Sequence, residues 1–409
     1  MSQIFGKRFE KWVVLAACII LQSILGGIYA WSSFVQPLTE TFGLSRGQCG
    51  AIFGLTIAVF TIAMIPAGKF LNRYGASKTA LTGSLFFAVG HILASYGNGN
   101  FVSLLFGYGL VVGTGIGFGY VCPLTTCMKW FPENRGLVTG IAVAGFGGGA
   151  IILSSVAEYL LYVQNYTVLE LFRFIGAMFG STAVIASLFI KDPPIHKSPV
   201  ERSDNADLFP HLLSRTFVLT FLAMFAGTFS GLLIIGNLKP MMLDFGLGEM
   251  HATLAISLFA IGNILGRVIW GQIYDKFGAK NTILLSQILL FTALLLLNAG
   301  GSTSLLLTTM LIGAGFGSCF VVYASTIVDR FGVKLFASLY PLCFLGYGLA
   351  AIIGPTSGGW LADNTGSFSS SINLSLVIIL LSVTMVFLLF ESPDDESQAE
   401  TDLSNDIAQ

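Results

Sequence analysis

One arginine stands where a charge is costly. In the stretch "AIGNILGRVIWGQIYDKFG", residues 260–278, Arg267 sits inside an apolar run with no acidic residue on the preceding turns. A cation facing lipid at mid-helix costs at least about 2.5–3.5 kcal/mol, so Arg267 is expected to face an interior. Guanidinium is a planar fork of donors that meets a carboxylate through two parallel hydrogen bonds, and it stays charged where a desolvated lysine need not. The chemistry indicated is reversible capture of a carboxylate rather than bond making. Glu40, Glu158, Glu170, Asp244, Asp329 and Asp363 lie at or beyond the ends of apolar runs, which leaves no carboxylate at mid-membrane depth to neutralise the arginine. The competing reading is an arginine that caps backbone carbonyls or pairs with an acid from another helix.

Aromatic side chains lie at comparable depth. Helical rise puts Arg267 about 12 Å from one end of its run and about 27 Å from the other, and puts Phe146 and Tyr347 about 18–20 Å deep. Tyr120, Phe316 and Phe320 fall on neighbouring runs, and Tyr29 begins a polar-tolerant segment that continues through Trp31, Ser32, Ser33 and Gln36. With 35 Phe and 12 Tyr in the chain, any one ring is better explained by core packing than by substrate contact. Tyr29, Tyr120 and Tyr347 are the better contact candidates, because a hydroxyl needs a partner.

The elements that must hold these residues are membrane helices. Only 10% of residues are charged against roughly 25% in soluble domains. Runs of about 20 apolar residues occur at 12–36, 47–71, 77–97, 100–129, 134–162, 168–190, 215–241, 249–275, 280–299, 303–329, 334–363 and 368–391. No period-2 alternation appears, so an all-α bundle of twelve transmembrane helices is expected. The first run follows Lys7, Arg8 and Lys11 without a small-residue cleavage site and reads as a retained helix. Of the twenty Lys and Arg, sixteen fall on the side of the N-terminus, while Arg46, Arg173 and Lys239 fall opposite and Arg267 lies between. The positive-inside rule then predicts both termini in the cytoplasm, in an inner or plasma membrane.

The chain repeats itself. "GKFLNRYGASK" (68–78) and "GQIYDKFGAK" (271–280) align with an offset of 203, which also brings Pro37 onto Pro240 and Phe42 onto Phe245. Two six-helix halves are expected at 1–190 and 215–391, joined by a polar linker at 191–214 and followed by an acidic, solvated tail at 392–409. At the offset of 203 Arg267 meets Met64, so the charge belongs to one half's own task.

The loop segments, with Gly68, Asn72, Arg73 and Gly75 in one copy and Gly271, Asp275, Lys276 and Gly278 in the other, resemble the gating signature of the major facilitator superfamily. Asn72 stands where that signature usually has Asp. "GGIYAWSSFVQPL" (26–38), "KWFPENRGLVTGIAVAGFGGG" (129–149) and the Arg267 helix are similar to the oxalate/formate antiporter family and the related monocarboxylate transporters. The resemblance implies a secondary transporter working by alternating access. Family members that exchange a dianion carry a second cation on helix eleven, where Tyr347 stands, which favours a monocarboxylate such as formate, lactate or pyruvate over oxalate. Proton-linked relatives carry an acid one turn before the arginine, where Asn263 stands, so exchange and proton coupling both stay open, with His91 a possible proton site. The alternatives are a dicarboxylate antiporter, a carrier of a neutral or lipophilic solute, and a non-transporting sensor.

Nothing in the sequence suggests an enzyme, since His, Asp, Glu and Cys do not cluster at membrane depth. The six cysteines read as packing residues. "GTGIGFG" (113–119) follows no strand and suits close helix contact rather than a nucleotide. No metal, cofactor or nucleic acid is expected; the partners are a small organic anion and the bilayer, with a monomer as the working unit.

Overall fold

A computed structural model describes residues 2–131, 135–193, 209–300 and 302–390. Most of the linker and the acidic tail lie outside the described residues. Eleven helices are long and apolar enough to cross a membrane, and one of these, Glu249–Ala299, is broken at Gly278 into two. A lipid-spanning backbone must satisfy its own hydrogen bonds, and helices alone achieve that here.

In chain order, α1 is Ser2–Gly26, continued by a 3-10 turn at Gly27–Ala30 into Ser32–Phe42. Next come α2 (Arg46–Tyr74), α3 (Ala76–Tyr96), α4 (Phe101–Trp130), α5 (Arg135–Glu158 and the π-turn Tyr159–Val163) and α6 (Val168–Phe189). The second half holds α7 (Arg215–Asp244), α8 (249–277), α9 (279–299), α10 (Ser302–Ser318, resuming at 322–331), α11 (333–365) and α12 (Ser369–Leu389). Twelve spans leave Ser2 and Phe390, the first and last described residues, on one face, called the terminal face below; the opposite one is the far face.

The turns between α2 and α3 and between α8 and α9 are built on repeat mates. Gly75 (φ 84°, ψ 170°) and Gly278 (φ 68°, ψ −176°) occupy a region of backbone space that is essentially reserved for glycine. Asp192, just past α6, caps the first of these turns by accepting from the Ala76 backbone N–H at 3.1 Å, and Lys129 pairs with it at 2.7 Å.

Helices approach through small residues. A Cβ on Gly83 would lie 2.5 Å from the Gly119 nitrogen, and one on Gly115 2.5 Å from the Phe87 nitrogen, so the glycine-rich stretch of α4 is a contact face for α3. The six cysteines are free and buried.

Candidate functional site

Glycines decide where the site's side chains stand. Gly317 on α10 presses against α8: a Cβ there would lie 3.2 Å from the Arg267 nitrogen. That approach sets Phe320 next to the arginine, with Phe316 packed on it at 5.1 Å, and the Trp270 indole locks it by donating to the Ala314 carbonyl at 3.1 Å. In α1, Gly26 meets the Phe146 backbone and Gly27 lies so near α5 that a Cβ would be 2.8 Å from Leu153. The 3-10 turn that follows aims Tyr29 at the seam between the halves. On α11 Tyr347 is flanked by Gly346 and Gly348, the latter leaving room for Thr61 of α2 at 3.5 Å from a notional Cβ.

The result is one continuous aromatic cluster holding all seven residues expected to contact a substrate. Tyr29 packs on Phe146 at 5.6 Å and on Phe316 at 6.0 Å; Tyr120 packs on Phe146 at 5.1 Å; Phe320 packs on Phe316 at 5.1 Å and on Tyr347 at 5.5 Å. The Tyr29 and Tyr347 hydroxyls bond each other at 2.9 Å across the two halves. Phe60 (5.2 Å from Tyr120), Phe259 (5.7 Å from Phe316), Phe344 (5.1 Å from Tyr347) and Tyr340 (5.6 Å from Phe344) extend the cluster, and sequence reasoning misses them because one more ring in an apolar run carries no mark.

Arg267 lies over the Phe320 ring at 4.5 Å, with the Tyr120 hydroxyl in hydrogen-bonding reach. Its Nε donates to the neutral Asn263 Oδ1 at 3.3 Å. Nη1 is buried and has no hydrogen-bond partner, and among the described residues no carboxylate forms a salt bridge with it. An unpaired buried donor costs about 1–3 kcal/mol, and more when charged. A cation–π contact of about 0.5–2 kcal/mol orients the guanidinium without using its in-plane donors.

The depth order along the bundle is also set. Tyr347 is fifteen residues from Gly332 and Arg267 eleven from Gly278, both glycines being turns of the terminal face, so the tyrosine pair stands about 6 Å nearer the far face than the arginine. The hydroxyl pair therefore roofs the guanidinium. Beyond the roof the halves are joined twice more. Asp363 of α11 accepts from the Arg46 and Gly47 backbone N–H groups at 3.2 and 2.9 Å, capping α2 from the other half. Lys239 of α7 pairs with Glu158 of α5 at 2.7 Å. At the terminal face Asn72, Arg73, Asp275 and Lys276 are exposed. The halves are thus closed toward the far face.

The charge count puts Lys239 on the far side, within the apolar run 215–241, and the structure shows what holds it there. It is 0% exposed, inside α7, held by Glu158, by Glu249 at 3.0 Å and by the Tyr162 ring at 4.3 Å. Four apolar residues follow it, Pro240 to Leu243, and that continuation is the signal in the sequence. His91 is a packed residue: its Nδ1 bonds the Phe87 carbonyl at 2.8 Å and its ring meets Tyr108 at 5.1 Å, all within the first half.

With this geometry in hand, similarity to known proteins fixes the family. The Major Facilitator Superfamily profile matches residues 12–238 and again 216–406. The chain belongs to the major facilitator superfamily. Within it, the chain is similar to the oxalate:formate antiporter of Oxalobacter formigenes, with 24% identity across 89% of this chain and 88% of that one. It is likewise similar to monocarboxylate transporter 2 of Meriones unguiculatus, with 25% identity across 92% of this chain and 83% of that one. Among solved folds, the nucleoside transporter NupG superposes with a TM-score of 0.75 at 13% identity, covering 92% of this chain and all of that one. This superfamily member is accordingly a membrane transporter for small molecules with two pseudo-symmetric six-helix bundles.

Proposed function

We propose that the chain carries a small organic monocarboxylate across a cell membrane by alternating access, with Arg267 as the group that binds the carboxylate. The supporting observation is the buried Nη1 of Arg267, which faces no resident carboxylate and has donors left to give. Tyr120, Phe316 and Phe320 shape the space beside it, Phe146 backs Tyr120, and Tyr29 with Tyr347 closes its far side. One cation balances one negative charge, which favours formate, lactate or pyruvate over a dianion. The terminal face is read as cytoplasmic from its excess of Lys and Arg, so the far side is the outside. The exposed loop residues Asn72, Arg73, Asp275 and Lys276 then belong to the cytoplasmic gate, turned by Gly75 and Gly278 and spaced by Gly68 and Gly271.

The test is uptake of labelled formate, lactate, pyruvate and oxalate into liposomes loaded with each unlabelled acid, with and without a pH gradient. At least one monocarboxylate is expected to show flux stimulated from the opposite side. Arg267→Ala should lower it by about 100-fold or more, and Arg267→Lys should keep only a small part, because an ammonium cannot present two coplanar donors. Normal flux in Arg267→Ala would refute the assignment.

A further inference from the structure

At the far end of the bundle a carboxylate is already bound. The Glu158 Oε2 atom accepts from Lys239 Nζ and from Thr253 Oγ1, each at 2.7 Å. Both donors belong to the second half, on α7 and α8, whereas the carboxylate they hold comes from α5 of the first. Glu249 and the Tyr162 ring flank the ammonium on its remaining sides, and the Glu158 side chain is 23% exposed, so the mouth of this pocket meets water.

Alternating access separates the halves at this level. When they part, Glu158 leaves with the first half, and the two donors stay together on the second. We infer that Lys239 and Thr253 form a second carboxylate site, plugged in this state by Glu158 as a built-in occupant and taken by the carboxylate of the cargo when the far side opens. The inference rests on the reading of the cargo as a carboxylate. It is electrostatically neutral as an exchange: one ammonium stands between two carboxylates before and after, Glu249 being constant and cargo replacing Glu158. The released Glu158 side chain moves into water, where its charge is solvated. Cargo arriving from the far side thus competes directly with the contact that holds that side shut.

The test is thermal unfolding of the purified full-length protein in an Arg267→Ala background, which removes the midplane cation, with sodium formate or acetate as probe against sodium chloride at equal ionic strength. Adding Glu158→Ala empties the pocket. Saturating formate or acetate is then expected to raise the unfolding midpoint by about 2–4 °C. No rise is expected in Arg267→Ala alone, where Glu158 still fills the site, or in Arg267→Ala/Glu158→Ala/Lys239→Met, where the ammonium is gone. A midpoint in Arg267→Ala/Glu158→Ala that formate and acetate leave unmoved, or an equal rise in the triple variant, overturns the site. If Glu158→Ala does not fold, the check is flux from each side of oriented vesicles. Lys239→Gln should then raise the half-saturating cargo concentration about tenfold from the far face and leave the terminal-face value unchanged, and equal effects on both faces overturn the site. Because the unfolding readout involves no transport and no Arg267, it can fail while the midplane assignment holds, and the reverse.

Discussion

Arg267 and Lys239 are two cations of the same half, on adjacent helices, and they are partnered in opposite ways. Lys239 is fully buried and held by two carboxylates and an aromatic face. Arg267 is part-exposed and has a neutral amide, an aromatic face and an unpartnered Nη1. Lys239 and the Nη1 end of Arg267 are both withdrawn from water, yet only the lysine is compensated by resident charge. In this state the saturated cation joins the two halves and holds the conformation, whereas the unsaturated one is free for something that comes and goes. The two sit on opposite sides of the Tyr29–Tyr347 pair, which separates a cation occupied by the protein's own carboxylates in this state from one left open to cargo.

The sharpest way to break the contrast is to give Arg267 a resident carboxylate. Asn263→Asp places one on the atom that now accepts from Nε at 3.3 Å. The guanidinium is then neutralised within the protein, and exchange at neutral pH should fall about tenfold or more, in line with an opposite charge at that distance. Protonating the introduced carboxylate removes the competitor, so flux should recover as the pH is lowered, the reverse of simple acid inactivation. A pH series of trans-stimulated uptake in liposomes measures this, and unchanged flux at neutral pH would show that Arg267 does not need to be free.

A smaller effect is expected from removing the saturated cation. Lys239→Met preserves bulk but leaves Glu158 and Glu249 facing each other without the ammonium between them. Breaking a fully buried pair costs about 3–5 kcal/mol. Here the carboxylate side chains are 23% and 38% exposed, so water relieves part of the repulsion and about 1–3 kcal/mol is the expected loss. The unfolding midpoint in detergent reads it, and a further Glu158→Gln substitution should restore part of the loss by removing the like charge.

This contrast is only half legible in the sequence. Arg267 announces itself because a charge in the middle of an apolar run has a single inexpensive explanation, an interior position. Phe146 and Tyr347 are found by counting depth from helix ends and the other aromatics by their place on neighbouring runs, and the structure brings the six rings and the arginine together because the glycine-rich stretches beside them are contact faces. Twelve spans and two halves follow from run length and from the offset of 203, both local or one-dimensional properties. The pairing of Lys239 is not legible, because its partner Glu158 is 81 residues away. Ion pairs between halves are properties of the assembled bundle, and no spacing rule carries them. Asp192 escapes for the same reason, being separated by 116 residues from the turn it caps.

The smallest expected effect concerns His91, the one imidazole singled out for proton chemistry. It lies on α3, 1% exposed, with its Nδ1 on the Phe87 carbonyl and its ring among Phe87, Tyr108 and Phe172 of the first half. No charged side chain is among these contacts, and neither Arg267 nor the seam between the halves is reached. His91→Phe should therefore keep the aromatic packing, lose one hydrogen bond worth about 1 kcal/mol, and leave the pH profile of transport where it was. Uptake measured from about pH 5 to 8, the range in which an imidazole titrates, distinguishes the roles. A profile displaced in His91→Phe would place proton coupling in the first half, away from the midplane arginine, and would give this packed imidazole a role that its contacts do not.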